Sequence, residues 1–235
     1  MVHSKDKIEE QMKDLVDNFP SYISIFKTNN PFSGPSEYFY IHKIISITKK
    51  GNYELVFTKE FIEYIYATLA SWGMHRMGPE NKGAKMNDFD SFQNCILSNK
   101  ETILKLKDCR LEKVNIEEIK SELEELYLGF WSLMKSNSKL VASSKVMHFL
   151  LPHLIPPMDR EYTMKFFGKN LPSISSFEDK NNIAKELKIF LSTLLEMMNI
   201  SHQVDCSKFI DDNFSPTIPK VIDNAIVSYI RKNKQ

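Results

Sequence analysis

Apolar positions recur at helical spacing from the start of the chain. Ile8, Met12, Leu15 and Val16 follow Ser4, which predicts an amphipathic helix with a serine N-cap that ends before Phe19-Pro20. Pro20, Pro31, Gly34 and Pro35, with Asn29-Asn30 between them, predict a long connection over 20–36. The next stretch is ambiguous. Tyr38 to Ile47, then Lys49-Lys50-Gly51-Asn52, then Tyr53 to Phe57, reads either as a β-hairpin or as a helix followed by a short extended segment.

From Thr58 the pattern is plainly helical. Phe61, Ile62, Ile65, Tyr66, Leu69 and Trp72 form one broad stripe that stops near Gly73. A glycine-containing loop is expected over 77–87, and Asp88 is placed to cap a helix carrying Phe89, Phe92 and Ile96. Asn115 with Glu118 resembles a capping box at the head of a helix running to 135. Further helices are expected from Lys139 to Leu151, from Asp159 to Phe167 before Gly168, from Ser176 to Met198, and from Ser215-Pro216 onward. The expectation is an all-α or nearly all-α multi-helix bundle with at most one small hairpin at 38–57. It divides either into regions 1–112 and 113–235 or forms a single compact domain.

Composition narrows the classes that fit. With 31 basic and 30 acidic residues the formal net charge is +1, so the chain lacks the overall basic excess typical of a dedicated nucleic-acid binder. The 7 glycines include no phosphate-cradling loop. Cys95, Cys109 and Cys206 are odd in number and widely spaced, which suits reduced thiols in a cytoplasmic protein and no zinc site. No run of apolar residues is long enough to span a membrane, and the N-terminus runs into charged residues, so neither a membrane span nor secretion is expected. Nothing points to a cofactor or a metal.

Candidate chemistry concentrates between Ser143 and Tyr162. Pro152, Pro156 and Pro157 fix the chain between two helices, because each proline sets its own φ and restricts the residue before it. A stiff link of this kind delivers Asp159 to a helix start at a defined place relative to Lys145 and His148, as acid–base or electrostatic catalysis requires. Asp159 also reads as a simple N-cap, and Lys145 as a solvated lysine. His75 and Arg76 end the Trp72 helix, where they either complement its dipole or reach an anion.

The helix, Pro-hydrophobic-Pro link and hydrophobic-Asp of residues 138–168 resemble the catalytic half of the helix-hairpin-helix DNA glycosylases. The resemblance implies an acidic catalytic role for Asp159 and a nucleophilic one for Lys145, acting on a flipped-out nucleotide. Under it, Arg76, His75, Lys139, Ser144 and Arg160 are the expected nucleic-acid or anion contacts. Ala70-Ser71-Trp72-Gly73-Met74-His75-Arg76, taken with Ser144-Lys145 to Pro156-Pro157-Met158-Asp159, is similar to a group of prokaryotic helical proteins sharing both patches and having no established activity.

Two functions follow. One is a nucleic-acid-associated protein with a glycosylase-like pocket around Asp159. The other is a non-catalytic module that binds a protein partner or forms a homo-oligomer, using an exposed apolar patch at Trp72, Met74 and Met77. The first is the leading reading; the absence of glycine from Leu140-Val141-Ala142-Ser143-Ser144 and the near-zero net charge support the second.

Overall fold

A computed structural model describes residues 5–29, 34–74, 85–135, 139–174 and 178–233. The helices, in chain order, are α1 (Lys5–Asp17), α2 (Phe19–Thr28), α3 (Pro35–Phe39), α4 (Ser46–Thr48), α5 (Tyr53–Val56) and α6 (Lys59–Leu69). They are followed by α7 (Phe89–Ser98), α8 (Lys100–Leu106), α9 (Lys120–Gly129), α10 (Leu140–Leu150), α11 (Lys180–Gln203) and α12 (Ile218–Lys232). Among the described residues there is no strand, only isolated bridges between Met86 and Met134 and between Asp211 and Ser215. The all-α expectation holds.

The hairpin does not form. Residues 35–48 are continuously helical, passing through a π-helical turn at Tyr40–Ile45, because Tyr40, Ile44 and Ile45 face the core together at helical spacing. Lys49 to Asn52 turns the chain, with Gly51 at φ 72°, and α5 follows where the alternative reading expected an extended segment. The connection expected over 20–36 is also shorter, since α2 occupies its first part. Pro20 lies in the first turn of α2, where its missing N–H has no intrahelical partner to lose, so it starts the helix instead of breaking one. The helix expected over 115–135 is split into a 3₁₀ turn at Ile116–Glu118, α9, and a second 3₁₀ turn at Phe130–Leu133.

Helix α12 is buried along nearly its whole length, from Pro219 to Tyr229. It begins two residues later than the sequence suggests, with Pro219 in its first turn. Its main partner is α2, where Tyr22 packs on Tyr229 with ring centroids 5.3 Å apart. Asn224 donates to the carbonyl of Phe214 (2.8 Å) and the hydroxyl of Ser215 (3.0 Å), fixing the helix to the loop before it. A single hydrophobic cluster includes residues from Leu15 in α1 to Tyr229 in α12. The carboxylate of Glu186 in α11, fully buried, accepts from the Tyr127 hydroxyl (2.7 Å) and the Lys139 amide (2.8 Å), and from the Leu140 amide, so it caps the exposed N–H groups at the head of α10.

Candidate functional site: a charge cluster at three helical distortions

Helix α10 stops at Leu150, ahead of Pro152, and the link that follows is packed away from solvent as far as Met158 except at the half-buried His153. Ser144, itself fully buried, holds this link: its hydroxyl accepts from the Met158 amide at 3.2 Å. Asp159 is thereby set at a fixed position against α10, half-buried at the surface. Its Oδ1 accepts from the Tyr162 amide (2.7 Å), and its own amide donates to Thr163 Oγ1 (3.2 Å). The N-cap role and the defined placement therefore coexist, and Asp159 Oδ2 accepts no intramolecular bond among the described residues.

Lys145 lies one residue beyond Ser144. Its ammonium sits 5.4 Å from the centre of the Trp72 ring. Trp72 in turn packs on Phe149 (5.1 Å) and Tyr40 (5.4 Å). Burial lowers the Lys145 pKa below the ordinary lysine value, against the attraction of Asp159 and Asp223, and the Lys220 ammonium adds to the lowering.

Beneath them α12 contributes an ion pair. Lys220 Nζ is 2.7 Å from Asp223 Oδ2, with side-chain exposures of 9% and 7%. Burial alone would lower Lys220, but Asp223 and Glu37 outweigh it and hold the pKa above the ordinary value. Glu37, at the head of α3, is shifted upward by burial, with Lys220 opposing and Asp223 reinforcing the shift. Tyr40 lies under Lys220, ring centre to Nζ 6.0 Å, and its hydroxyl donates to His148 Nε2 at 2.6 Å. Because His148 Nδ1 faces the Ile155 carbonyl at 2.6 Å it must carry the proton, which leaves Nε2 as the acceptor. Burial takes His148 down to about 3, so the ring is neutral at physiological pH. It ties α10, the proline link and the Tyr40 turn together.

The described chain has three π-helical turns, at Tyr40–Ile45, Ala70–Met74 and Arg160–Met164, and each presents a residue to this cluster: Tyr40, Trp72 and, as its N-cap, Asp159. A π turn widens the helix and shifts its side-chain register, and such turns are frequent at functional sites. Gly73, at φ 78°, adopts the left-handed backbone that lets the chain leave the helix directly after Trp72.

The structure thus brings Lys145 and Asp159 into one electrostatic cluster. Arg160 follows on an exposed turn. Ser144 is a buried clamp and is closed to a ligand. Lys139 is engaged elsewhere: its ammonium donates to the Met134 carbonyl and lies 5.1 Å from the Trp131 ring. His75, Arg76 and Met77 lie outside the described residues. Trp72 and Met74 are only partly exposed and pack against the core, while Tyr38, at 58% exposure, and Phe39, at 40%, are open to solvent. Sequence reading did not reach Glu37, Tyr40, Lys220 or Asp223. The signal for the last two was their place at i and i+3 among Val221, Ile222, Ala225 and Ile226, two charges on an otherwise apolar helix.

Among the described residues no group of three His, Cys, Asp or Glu side chains could hold a metal ion, and no helix is long and apolar enough to cross a membrane. No family model, curated protein or solved structure matches this chain. Fold and site define an all-α protein in which a desolvated amine, a rim carboxylate and an aromatic ring meet above a buried ion pair.

Proposed function

We propose that the protein acts on nucleic acid and cleaves an N-glycosidic bond, with Lys145 as nucleophile and Asp159 as its carboxylate partner. The observation that carries this reading is the Lys145 amine, set on the Trp72 ring, shifted toward its neutral form by burial and electrostatically coupled to Asp159. A lysine becomes a nucleophile when desolvation or a neighbouring cation favours the free amine, and both act on Lys145.

In the reaction the amine nitrogen bonds to the sugar C1′ while the bond from C1′ to the base breaks, and the bonding pair leaves with the base. Asp159 accepts the proton that the amine sheds and passes it to the departing base. Water hydrolyses the resulting sugar–lysine adduct and regenerates the amine.

The test is base release under single-turnover conditions from duplex and single-stranded DNA carrying uracil, alkylated or oxidised bases. Asp159→Asn is expected to slow release by about 10²-fold or more while binding is kept. Absence of release from every substrate contradicts the reading.

A second reading is favoured by the exposed Tyr38 and Phe39, consecutive on the helix that carries Tyr40. In it the helical scaffold serves as a protein-interaction module, and light scattering after size-exclusion chromatography would show an oligomer that Tyr38→Ser with Phe39→Ser dissociates. A strict monomer contradicts the homo-oligomeric form of this reading.

A further inference from the structure

In the chain immediately beyond Asp159 the surface holds a cavity of about 360 Å³, and among its lining residues are Arg160, Glu161, Lys165, Gly168, Lys169 and Asn170. Its three cations are not equivalent. Lys169 is tied into the fold, with Nζ 2.6 Å from Glu196, 2.9 Å from Ser192 Oγ and 3.0 Å from Thr193 Oγ1, so it anchors the floor of the cavity to α11. Lys165 pairs with Glu161 at 2.6 Å. Arg160 is exposed and pairs with no carboxylate among the described residues. Gly168, at φ 61°, turns the chain so that Lys169 and Asn170 close the far wall.

We infer that this cavity receives the phosphate adjoining the reacting nucleotide, with Arg160 as its principal ligand. The inference rests on the proposed glycosidic reading and adds to it the place where the nucleotide's backbone lies. Arg160 directly follows Asp159 in the chain and lines the cavity, so a nucleotide whose sugar lies at Asp159 has its phosphate beside the turn that carries the guanidinium. The guanidinium fork matches two phosphate oxygens at once, which an ammonium cannot do. Two cations already neutralised by carboxylates shape the walls, leaving one unspent positive charge for one anion. The phosphate is a diester in a strand or a monoester in a mononucleotide, and the chemistry at Arg160 is shared.

The experiment measures binding in an Asp159→Asn background, where turnover does not move the readout. Fluorescence anisotropy of a labelled abasic-site oligonucleotide is followed from low to moderate salt, and a labelled deoxynucleoside 5′-monophosphate is titrated in parallel. Arg160→Gln is compared with Lys120→Gln, an exposed lysine outside the cavity. Replacing a guanidinium–phosphate pair with the neutral amide of Gln lowers affinity by about tenfold at low salt and reduces the slope of log K against log salt by about 0.7 to 0.9. Arg160→Gln is expected to show both changes on the oligonucleotide, and Lys120→Gln neither. A weakening confined to the mononucleotide also supports the phosphate site and makes the monoester its ligand. Equal affinity and slope for Arg160→Gln and its parent overturn the inference, as does a parent that binds neither probe. Asn170→Asp, which adds a negative charge to the same cavity, is expected to reproduce the weakening, and its failure to do so counts against the site. An Arg160 effect without any covalent capture at Lys145 would retain the phosphate site and reject the glycosidic reading, so the two fail separately.

Discussion

Removing the Lys220 charge tests the electrostatic design of the site most severely. At 2.7 Å the Lys220–Asp223 attraction is about 6 kcal/mol at an effective dielectric constant of about 20, and much of that is cancelled by the cost of taking both charges out of water. Deleting one partner leaves the other's burial uncompensated, which costs about 3–5 kcal/mol. The two deletions are not equivalent. Lys220 interacts with Asp223, Glu37 and Asp159, so Lys220→Met leaves three carboxyl groups with Lys145 as the remaining cation. Asp223→Leu leaves Lys220 still attracted by Glu37 and Asp159. Lys220→Met should therefore destabilise more than Asp223→Leu, and the double variant should lose at least about 2 kcal/mol less than the sum of the two. Equilibrium urea unfolding of the four proteins at pH 7.5 gives these numbers directly. Additive losses, or a Lys220→Met loss under about 1 kcal/mol, would refute the reasoning.

His148 makes stability depend on pH: its folded pKa of about 3 lies below the unfolded 6.5, so the unfolded chain binds the proton first, and stability that is complete above pH 6.5 declines as pH falls toward 3. Between pH 6.5 and 5 this one ring accounts for about 1.7 kcal/mol, and a flat urea-unfolding profile over that interval contradicts it. Ser144→Ala removes the hydroxyl that holds the Met158 amide and should cost about 1–2 kcal/mol, while also slowing base release because Asp159 is no longer fixed; unchanged release would mean the clamp does not position it. Glu186→Ala takes the cap from α10 and strands the Tyr127 hydroxyl, for an expected loss of about 2–4 kcal/mol by urea unfolding, and a loss below about 0.5 kcal/mol would mean that Glu186 does not hold the head of α10.

Much of the fold is legible in the sequence because amphipathic stripes and caps act locally. Asp88 accepts from the Ser91 amide at 2.9 Å, and α10 ends before Pro152, as the residue types require. Errors arose where a local signal has two outcomes. Pro20 reads as a stop but lies in the first turn of α2, and the β-branched run at 41–47 takes the helix that tertiary packing offers it. The site was legible in part for the same reason. Lys145, Asp159 and the proline link lie within one short segment, whereas Glu37, Tyr40, Lys220 and Asp223 arrive from both ends of the chain, joined by contacts that no local spacing encodes. The ring over which the Lys145 ammonium lies belongs to Trp72, more than seventy residues away in sequence.

The most direct test is reductive trapping: the full-length protein is incubated with duplex DNA containing an abasic site in the presence of borohydride, and the adduct is mapped by peptide mass spectrometry. An amine nucleophile leaves a reduced, irreversible sugar–lysine bond. A nucleophilic Lys145 predicts an adduct at that residue, which disappears in Lys145→Gln and forms more slowly in Asp159→Asn. No adduct, or one on another amine that persists in Lys145→Gln, would contradict that role.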